Sequence, residues 1–125
     1  MVEVSLIMPA FNEEENIQAA IQEALEVFDS QAIKAEILVI NDGSTDRTQS
    51  IVENLRKKDQ RIKLINHGTN KGFGQTFWTG VDHALGEIIT SLPGDNENDP
   101  NEIFRYYRLL DHVDIVIPFI YNKES

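Results

Sequence analysis

Three polar segments of the sequence combine residue types that bind nucleotides and metal ions. The first, Asn41 to Asp46, places a carboxylate at Asp42, then a glycine that can adopt positive φ, and ends in a helix-capping residue. The Asp42 carboxylate can accept hydrogen bonds from a nucleobase N–H or from ribose hydroxyls. Turn and capping preferences explain Gly43 and Asp46 fully and Asp42 in part, so a plain turn is the alternative interpretation.

The second segment, Asn70 to Gly74, resembles a glycine-rich loop that opens a helix. Free backbone N–H groups and the helix dipole favour an anion at such a place, and Lys71 adds a positive charge. The Gly-x-Gly spacing matches neither a Walker loop nor a dinucleotide fingerprint, and a glycine turn before an ordinary helix is the alternative. Phe73, Phe77 and Trp78 follow at helical spacing and are expected in the core rather than stacked on a ligand.

The third segment, Pro93 to Pro100, carries three acids that offer hard oxygen ligands for Mg²⁺ or Mn²⁺. Its glycine and distal acid do not fit the twelve-residue calcium loop. Asp99 is better interpreted as a helix cap and Glu97 as a solvated side chain. Asp95 is therefore the predicted metal ligand.

The three histidines, His67, His83 and His112, share no ligand spacing and have no evident carboxylate partner in the sequence. Surface or capping roles are expected for all three. No histidine is assigned to catalysis.

These segments follow short apolar runs that are expected to be buried strands. Five runs share the pattern: Val4 to Met8, Ile37 to Ile40, Ile62 to Ile65, Ile88 to Leu92 and Val113 to Ile117. Helical periods alternate with them. The alternation predicts a doubly wound α/β fold, with a mostly parallel sheet of about five strands and helices on both faces. Ligands of such sheets bind beyond the carboxyl ends of the strands, where the acidic loops lie.

Helix starts are expected at capping residues. Asn12 and Asp46 are the predicted caps of the first two helices, each followed three positions on by Glu or Gln. Asp99 is expected to cap a fourth helix, with Pro100 at its first position. The third helix is predicted to begin near Gly72 and to turn four residues towards the sheet: Phe77, Trp78, Val81 and Ala84.

Composition narrows the class of protein. The 125 residues are 41% hydrophobic, which suits one domain with a core. The absence of cysteine excludes disulfides and thiolate metal sites. A net charge of −10 repels nucleic acid and anionic lipid. It suits a protein that meets phosphate through a divalent cation, and excess acid that serves solubility alone is the alternative interpretation. All apolar runs are far shorter than the ~20 residues of a membrane span, and the acidic start lacks the features of a signal peptide.

Four motifs in order resemble the N-terminal half of family 2 glycosyltransferases with the GT-A fold: Pro9 to Glu13, Asn41 to Asp46, Asn70 to Gly72 with Gly80 and Ala84 to Gly86, and Gly94-Asp95. The resemblance spans nearly the whole chain, and four motifs in register with predicted strand ends are highly specific. Within the family the chain looks similar to polyprenyl-phosphate sugar transferases of the dolichyl-phosphate mannose synthase type.

The resemblance implies roles for individual residues of this chain. Asp95 matches the last acid of the metal-binding Asp-x-Asp motif, which implies Mg²⁺ or Mn²⁺, but Pro93 replaces the first acid. The usual double aspartate after the second strand is likewise Asn41-Asp42. The resemblance implies that Pro9, Phe11 and Glu13 line the base and ribose pocket and that Asp42 binds the base. It also implies that Lys71 lies near the diphosphate and that Asp95 binds the metal.

The resemblance also implies an activity. Family members transfer a sugar with inversion from a UDP- or GDP-linked donor to an acceptor such as a polyprenyl phosphate, with charge neutralisation on the leaving diphosphate. Their catalytic base lies in a later, acceptor-binding half, so no catalytic residue is assigned here. Residues 1–125 are expected to be a nucleotide-sugar-binding domain truncated before that half, prone to self-association, and located in the cytoplasm or on the cytoplasmic face of a membrane.

Two other classes of protein compete with this interpretation. A phosphoacceptor receiver domain is also a doubly wound unit of this length, but it needs an aspartate at the tip of its third strand, where this sequence has Asn66-His67. A non-catalytic nucleotide-binding or assembly module derived from a transferase is the second alternative.

Overall fold

The structure, a computed structural model, describes residues 1–95 and residue 100. Strands and helices alternate as predicted: β1 Val4–Ala10, α1 Ile17–Ser30, β2 Ala35–Asp42, α2 Thr48–Lys58, β3 Ile62–His67, α3 Phe73–His83 and β4 Ile88–Ser91. The predictions made for the fifth strand, the fourth helix, Glu97, Asp99 and His112 fall outside the described residues. No helix in the described part is long and apolar enough to cross a membrane.

The four strands form one parallel sheet in the order β3-β2-β1-β4. The order reverses at β1, because β2 and β3 extend the sheet on one side and β4 adds on the other. Loops at the carboxyl ends of strands next to such a reversal form the usual ligand site of open α/β sheets. Receiver domains order their strands 2-1-3-4-5, so the observed order excludes that alternative.

The core has two layers because alternate strand residues point to opposite faces of the sheet. One face of β1 and β2 packs against α1 and α2. The largest buried side chains of this layer include Leu6, Met8 and Ile37 from the strands and Ile21 and Phe28 from α1. The other face packs against α3 through Ile7, Leu38 and Ile40, which meet Phe77, Val81 and Ala84. Helices therefore cover both faces, which confirms the doubly wound α/β prediction.

Two aromatic residues of α3 are not in the core, contrary to prediction. Trp78 is 62% exposed and Phe73 is 54% exposed. Successive helix residues are rotated by about 100°, so the stripe that carries Phe77 and Val81 to the sheet leaves Trp78 on the solvent side. Phe77 packs on the sheet as expected and meets Trp78 edge-on, with ring centroids 5.7 Å apart.

The capping predictions are only partly right. Asn12 does not cap α1, because the helix begins at Ile17, and Asn12 instead has φ +52° and binds the second loop. The N-cap of α2 is Arg47 rather than Asp46, although Asp46 stands one position earlier and its Oδ1 accepts the Thr48 N–H at 2.9 Å at the start of the helix. Gln49 does not complete a capping box, as its side chain donates to Glu53 instead.

A buried carboxylate that the sequence interpretation missed holds the amino-terminal end of the sheet. Glu36 is 1% exposed and accepts hydrogen bonds from Ser5 Oγ at 2.6 Å, Leu85 N at 2.7 Å and Lys63 Nζ at 2.9 Å. Burial alone raises the pKa of Glu36, but these donors and the lysine charge outweigh burial and hold the pKa below its ordinary value. Ser5 Oγ also accepts the Gly86 N–H at 2.8 Å, so the α3–β4 loop is tied to the sheet.

We predict that Glu36→Gln lowers the free energy of unfolding by about 2–3 kcal/mol, because it leaves buried donors without a charged acceptor. Since the folded pKa of Glu36 is depressed, its stabilising contribution is complete above the ordinary glutamate pKa and is lost as pH falls through the folded value. Urea unfolding at pH 7 and at pH 3 measures both effects, and the difference from wild type should shrink at pH 3. Glu87→Gln, at an exposed position just before β4 at the same end of the sheet, is the matched control. Equal stability of the two variants would contradict the prediction.

Candidate functional site

The loops after β1 and after β2, at the carboxyl edge of the sheet, are joined by hydrogen bonds between backbone and side chains. Asn12 donates its N–H to Ser44 Oγ at 2.9 Å, and its Oδ1 accepts the Thr45 N–H at 2.8 Å. Glu13 donates its N–H to Thr48 Oγ1 at 2.8 Å. The segment after β1 is therefore held by the segment after β2, which makes the two loops one surface.

Asp42 joins the loop after β2 to the loop after β3. Its side chain is almost fully buried, with the residue 4% exposed, and its carboxylate accepts the backbone N–H groups of Lys71 at 2.8 Å and Gly72 at 2.9 Å. His67 Nδ1 lies 2.7 Å from Oδ1. Burial alone raises the pKa of Asp42, but His67 and the two N–H groups outweigh it and lower the pKa, so the carboxylate is ionised near neutral pH. Donors from the described part of the chain occupy three of its roughly four lone-pair positions, which leaves one on Oδ2.

The expectation that His67 has a surface or capping role and no carboxylate partner is wrong. Asp42 and His67 end neighbouring parallel strands and stand opposite each other in the register. The sequence does contain this signal, because aligning the apolar run Ile37 to Ile40 with Ile62 to Ile65 places Asp42 opposite His67. The two residues are 25 positions apart along the chain and meet only across neighbouring strands. His83 does lie at the surface, as expected, with Nδ1 2.9 Å from the Thr79 carbonyl oxygen.

Gly43 allows the loop after β2 and the loop after β3 to pack backbone against backbone. Its φ is +79°, and a Cβ there would lie 2.7 Å from Asn70 N and 2.8 Å from the Thr69 carbonyl carbon. Both atoms belong to the backbone, so a side chain cannot be accommodated by a change of rotamer. The predicted turn glycine is thus also the contact point between the two loops.

Asp95 leaves the sheet beside β1. The chain after β4 continues along β1, with Leu92 N donating to the Ile7 carbonyl at 2.9 Å and Gly94 N to the Pro9 carbonyl at 3.0 Å. Gly94 is buried, and a Cβ there would lie 2.5 Å from Ile17 Cδ1. This packing places Asp95 at the same edge of the sheet as Asp42, on the other side of β1.

The donor set at this edge limits what kind of metal site can form. Within residues 1–95 and residue 100, no three His, Asp or Glu side chains are grouped as ligands for one ion. Asp95 offers one carboxylate, which fits a hard cation that takes few protein ligands and completes its shell with water and phosphate oxygens. Mg²⁺ and Mn²⁺ bound together with a diphosphate meet that requirement.

The remaining predicted nucleotide-binding residues also lie at this edge. Pro9 and Glu13 are half-buried, whereas Phe11 and the Lys71 side chain are exposed. The structure therefore brings all six predicted positions to the loops at one end of the sheet. Their roles towards a nucleotide stay predictions.

Comparison with known proteins agrees with this geometry. The family model described as "Glycosyl transferase family 2" matches residues 5–125. A dolichyl-phosphate beta-glucosyltransferase of Trichomonas vaginalis is 35% identical over 99 residues, which cover 75% of this chain and 31% of that protein. A prophage bactoprenol glucosyl transferase homolog of Escherichia coli (strain K12) is 34% identical over 102 residues, covering 82% and 33%. The chain thus spans about a third of the length of these curated relatives.

Solved structures give the same fold. TarS 1–349 of S. aureus in complex with UDP-GlcNAc superposes with a TM-score of 0.73 at 27% identity, covering 88% of this chain and 31% of that one. Mannosyltransferase PcManGT from Pyrobaculum calidifontis, in complex with GDP-Man and Mn²⁺, superposes with a TM-score of 0.66 at 26% identity, covering 74% and 27%. These structures confirm the expected GT-A fold. The relatives named for dolichyl phosphate and bactoprenol confirm the resemblance to polyprenyl-phosphate sugar transferases.

We predict that Gly43→Ala lowers the free energy of unfolding by about 2–3 kcal/mol, since it combines positive φ with a backbone collision at Asn70. Thermal or urea unfolding measures the loss. Gly68→Ala is the matched control, because a Cβ at Gly68 in the facing loop meets nothing within 4 Å. A Gly43→Ala protein as stable as the control would show that the loops separate without cost.

Proposed function

Because the chain belongs to glycosyl transferase family 2, we propose that it binds a nucleoside diphosphate sugar as the donor-binding part of an inverting glycosyltransferase. The observation that carries the proposal is the contact of the Asp42 carboxylate with the N–H groups of Lys71 and Gly72. This contact joins the proposed base-binding acid to the proposed phosphate-binding loop. The relatives named for dolichyl phosphate and bactoprenol support a polyprenyl phosphate as the acceptor.

The hydrogen-bonding state of Asp42 favours particular bases. An ionised carboxylate only accepts hydrogen bonds, and Oδ2 keeps one lone pair beyond the Gly72 N–H. Uracil and guanine carry a ring N–H that can donate to it. Cytosine and adenine present a ring nitrogen acceptor at the corresponding edge, which a carboxylate repels. We therefore propose a UDP- or GDP-linked donor, in agreement with the UDP-GlcNAc and GDP-Man complexes of the structural neighbours.

The diphosphate is proposed to lie between Lys71 and Asp95. Asp95 would hold Mg²⁺ or Mn²⁺, which supplies charge neutralisation on the leaving diphosphate when bound. The chain's own contribution is the Lys71 ammonium and the free N–H groups in the first turn of α3, which attract an anion. Pro93 replaces the first acid of the family motif, so Asp95 is the only carboxylate of that motif available to this role.

We propose only donor binding for this part of the chain. The resemblance places acceptor binding in the later half of family members. No catalytic base is proposed among these residues, because the resemblance places it in the acceptor-binding half. A non-catalytic binding module is the alternative, and Pro93 in place of an acid favours it. Turnover of a donor sugar would decide for the enzyme. Self-association stays a prediction.

We predict that the chain binds UDP and GDP at least about tenfold more tightly than CDP and ADP, because only the first two present a ring N–H to Asp42. Calorimetry with each nucleotide in the presence of Mn²⁺ measures the four affinities. Equal affinity for all four would remove Asp42 from base recognition while leaving a diphosphate site in place.

We predict that Asp95→Asn removes the metal-dependent part of nucleotide affinity, a loss of about tenfold or more. Calorimetry with UDP and GDP, with Mn²⁺ and with EDTA, separates this part from the rest. In EDTA the variant should match wild type. Asp82→Asn, at an exposed acid of α3, is the matched control. Wild-type affinity of Asp95→Asn in Mn²⁺ would overturn the assignment of the metal.

A further inference from the structure

The His67 side chain links three elements at the proposed donor site. It ends β3, is 9% exposed, and contacts the Asp42 carboxylate at the end of β2. Its other ring nitrogen, Nε2, lies 2.9 Å from Thr79 Oγ1 on α3. The resemblance and the comparisons assign no role to this histidine, and the proposed function does not use it.

The chemistry of its two partners fixes the orientation of the ring. Because the ionised Asp42 carboxylate can only accept, His67 Nδ1 must carry a hydrogen. When the ring is neutral, Nε2 accepts the Thr79 hydroxyl hydrogen, and when the ring is charged, Nε2–H donates to the same oxygen. Both contacts persist in either protonation state. The ring therefore connects the Asp42 carboxylate to the Thr79 hydroxyl, which suits a positioning role.

The helix at the far end of this link is itself held in place. Gly80 follows Thr79, and a Cβ there would lie only 2.6 Å from Ile7 Cγ1, so α3 touches β1 closely at this turn. The His67 ring spans from this contact to the carboxylate. Without His67, Asp42 would keep the Lys71 N–H on Oδ1 and the Gly72 N–H on Oδ2, and both of these donors belong to the loop itself. His67 on β3 is the donor that holds the carboxylate from outside that loop.

We infer that His67 is a positioning residue of the donor site: it orients the Asp42 carboxylate, which in turn holds the Asn70 to Gly74 loop in its nucleotide-binding geometry. The effect on nucleotide binding rests on the proposed function, whereas the positioning of the loop by His67 does not depend on it. Loss of the ring should loosen the Lys71 and Gly72 amides first. Nucleotide affinity should fall with them, although both ring nitrogens of His67 are directed at protein groups, Asp42 and Thr79.

Four variants test the link. His67→Phe removes both polar contacts, His67→Asn keeps a side-chain N–H near the position of Nδ1, and Thr79→Val removes only the outer contact. His83→Phe is the matched control, since His83 is exposed and contacts only the Thr79 carbonyl. Amide hydrogen exchange at Lys71, Gly72 and the core strand residue Val39, together with calorimetry using UDP and GDP with Mn²⁺, gives two independent readouts.

In His67→Phe, exchange at Lys71 and Gly72 should accelerate about tenfold or more, exchange at Val39 should stay unchanged, and nucleotide Kd should rise about tenfold. His67→Asn should stay within about threefold of wild type, with Thr79→Val between the two. If His67→Phe fails to fold, the Thr79→Val and His67→Asn comparison carries the same test.

Unchanged Lys71 and Gly72 exchange in His67→Phe, or equal acceleration at Val39, would overturn the positioning role. If the amides loosen but UDP and GDP affinity stays at the wild-type value, the link to ligand binding is overturned. If wild type binds neither nucleotide, the proposed function fails, and amide exchange alone then decides whether His67 positions the loop.

Discussion

The carboxylate of Asp42 is the interaction on which the arrangement of the site depends. It is buried, ionised and bonded to a histidine ring and to the backbone N–H groups of Lys71 and Gly72, which lie 29 and 30 residues further along the chain. A buried carboxylate is costly unless donors surround it. That cost constrains the loop, because any other conformation of Lys71 and Gly72 leaves the charge without its two backbone donors.

A second buried carboxylate has the same role at the opposite end of the same strand. Glu36 and Asp42 are six residues apart on β2, so both point to the α3 face of the sheet. Asp42 accepts N–H groups from the segment that enters α3, and Glu36 accepts the Leu85 N–H from the segment that leaves it. Helix α3 is thus tied to β2 at both ends by ionised side chains, with the apolar Leu38 and Ile40 between them. Both carboxylates have lowered pKa values, so acid weakens both attachments together.

The sequence predicts the described strands and helices well because their signals are local. Apolar runs ended by turn residues identify the strands, and the carboxyl edge follows from their parallel order. What the sequence interpretation missed depends on contacts across strands or between loops. In the sequence Glu36 is only a polar residue within a strand, and its role depends on the contacts with Ser5 and Lys63 on neighbouring strands. Asn12 has the residue type of a helix cap, but its side chain instead binds the loop after β2. Only the pairing of Asp42 with His67 could have been found, from two apolar runs of equal length.

The strand order also sets how a nucleotide can lie across the proposed site. Asp42 ends β2, Asp95 follows β4, and β1 runs between those two strands. Neighbouring strands are about 4.8 Å apart, so strands β2 and β4 are separated by roughly 10 Å. One small group cannot bridge that distance, and a ligand that uses both acids must be extended across the end of β1 at Ala10. The two acids also differ in kind: Asp42 is enclosed by fixed donors and suits a neutral N–H group, whereas Asp95 suits a cation. An extended ligand with a hydrogen-bonding ring at one end and a metal-bound diphosphate at the other satisfies both, which is why a nucleoside diphosphate suits this edge better than a single phosphate or a free base.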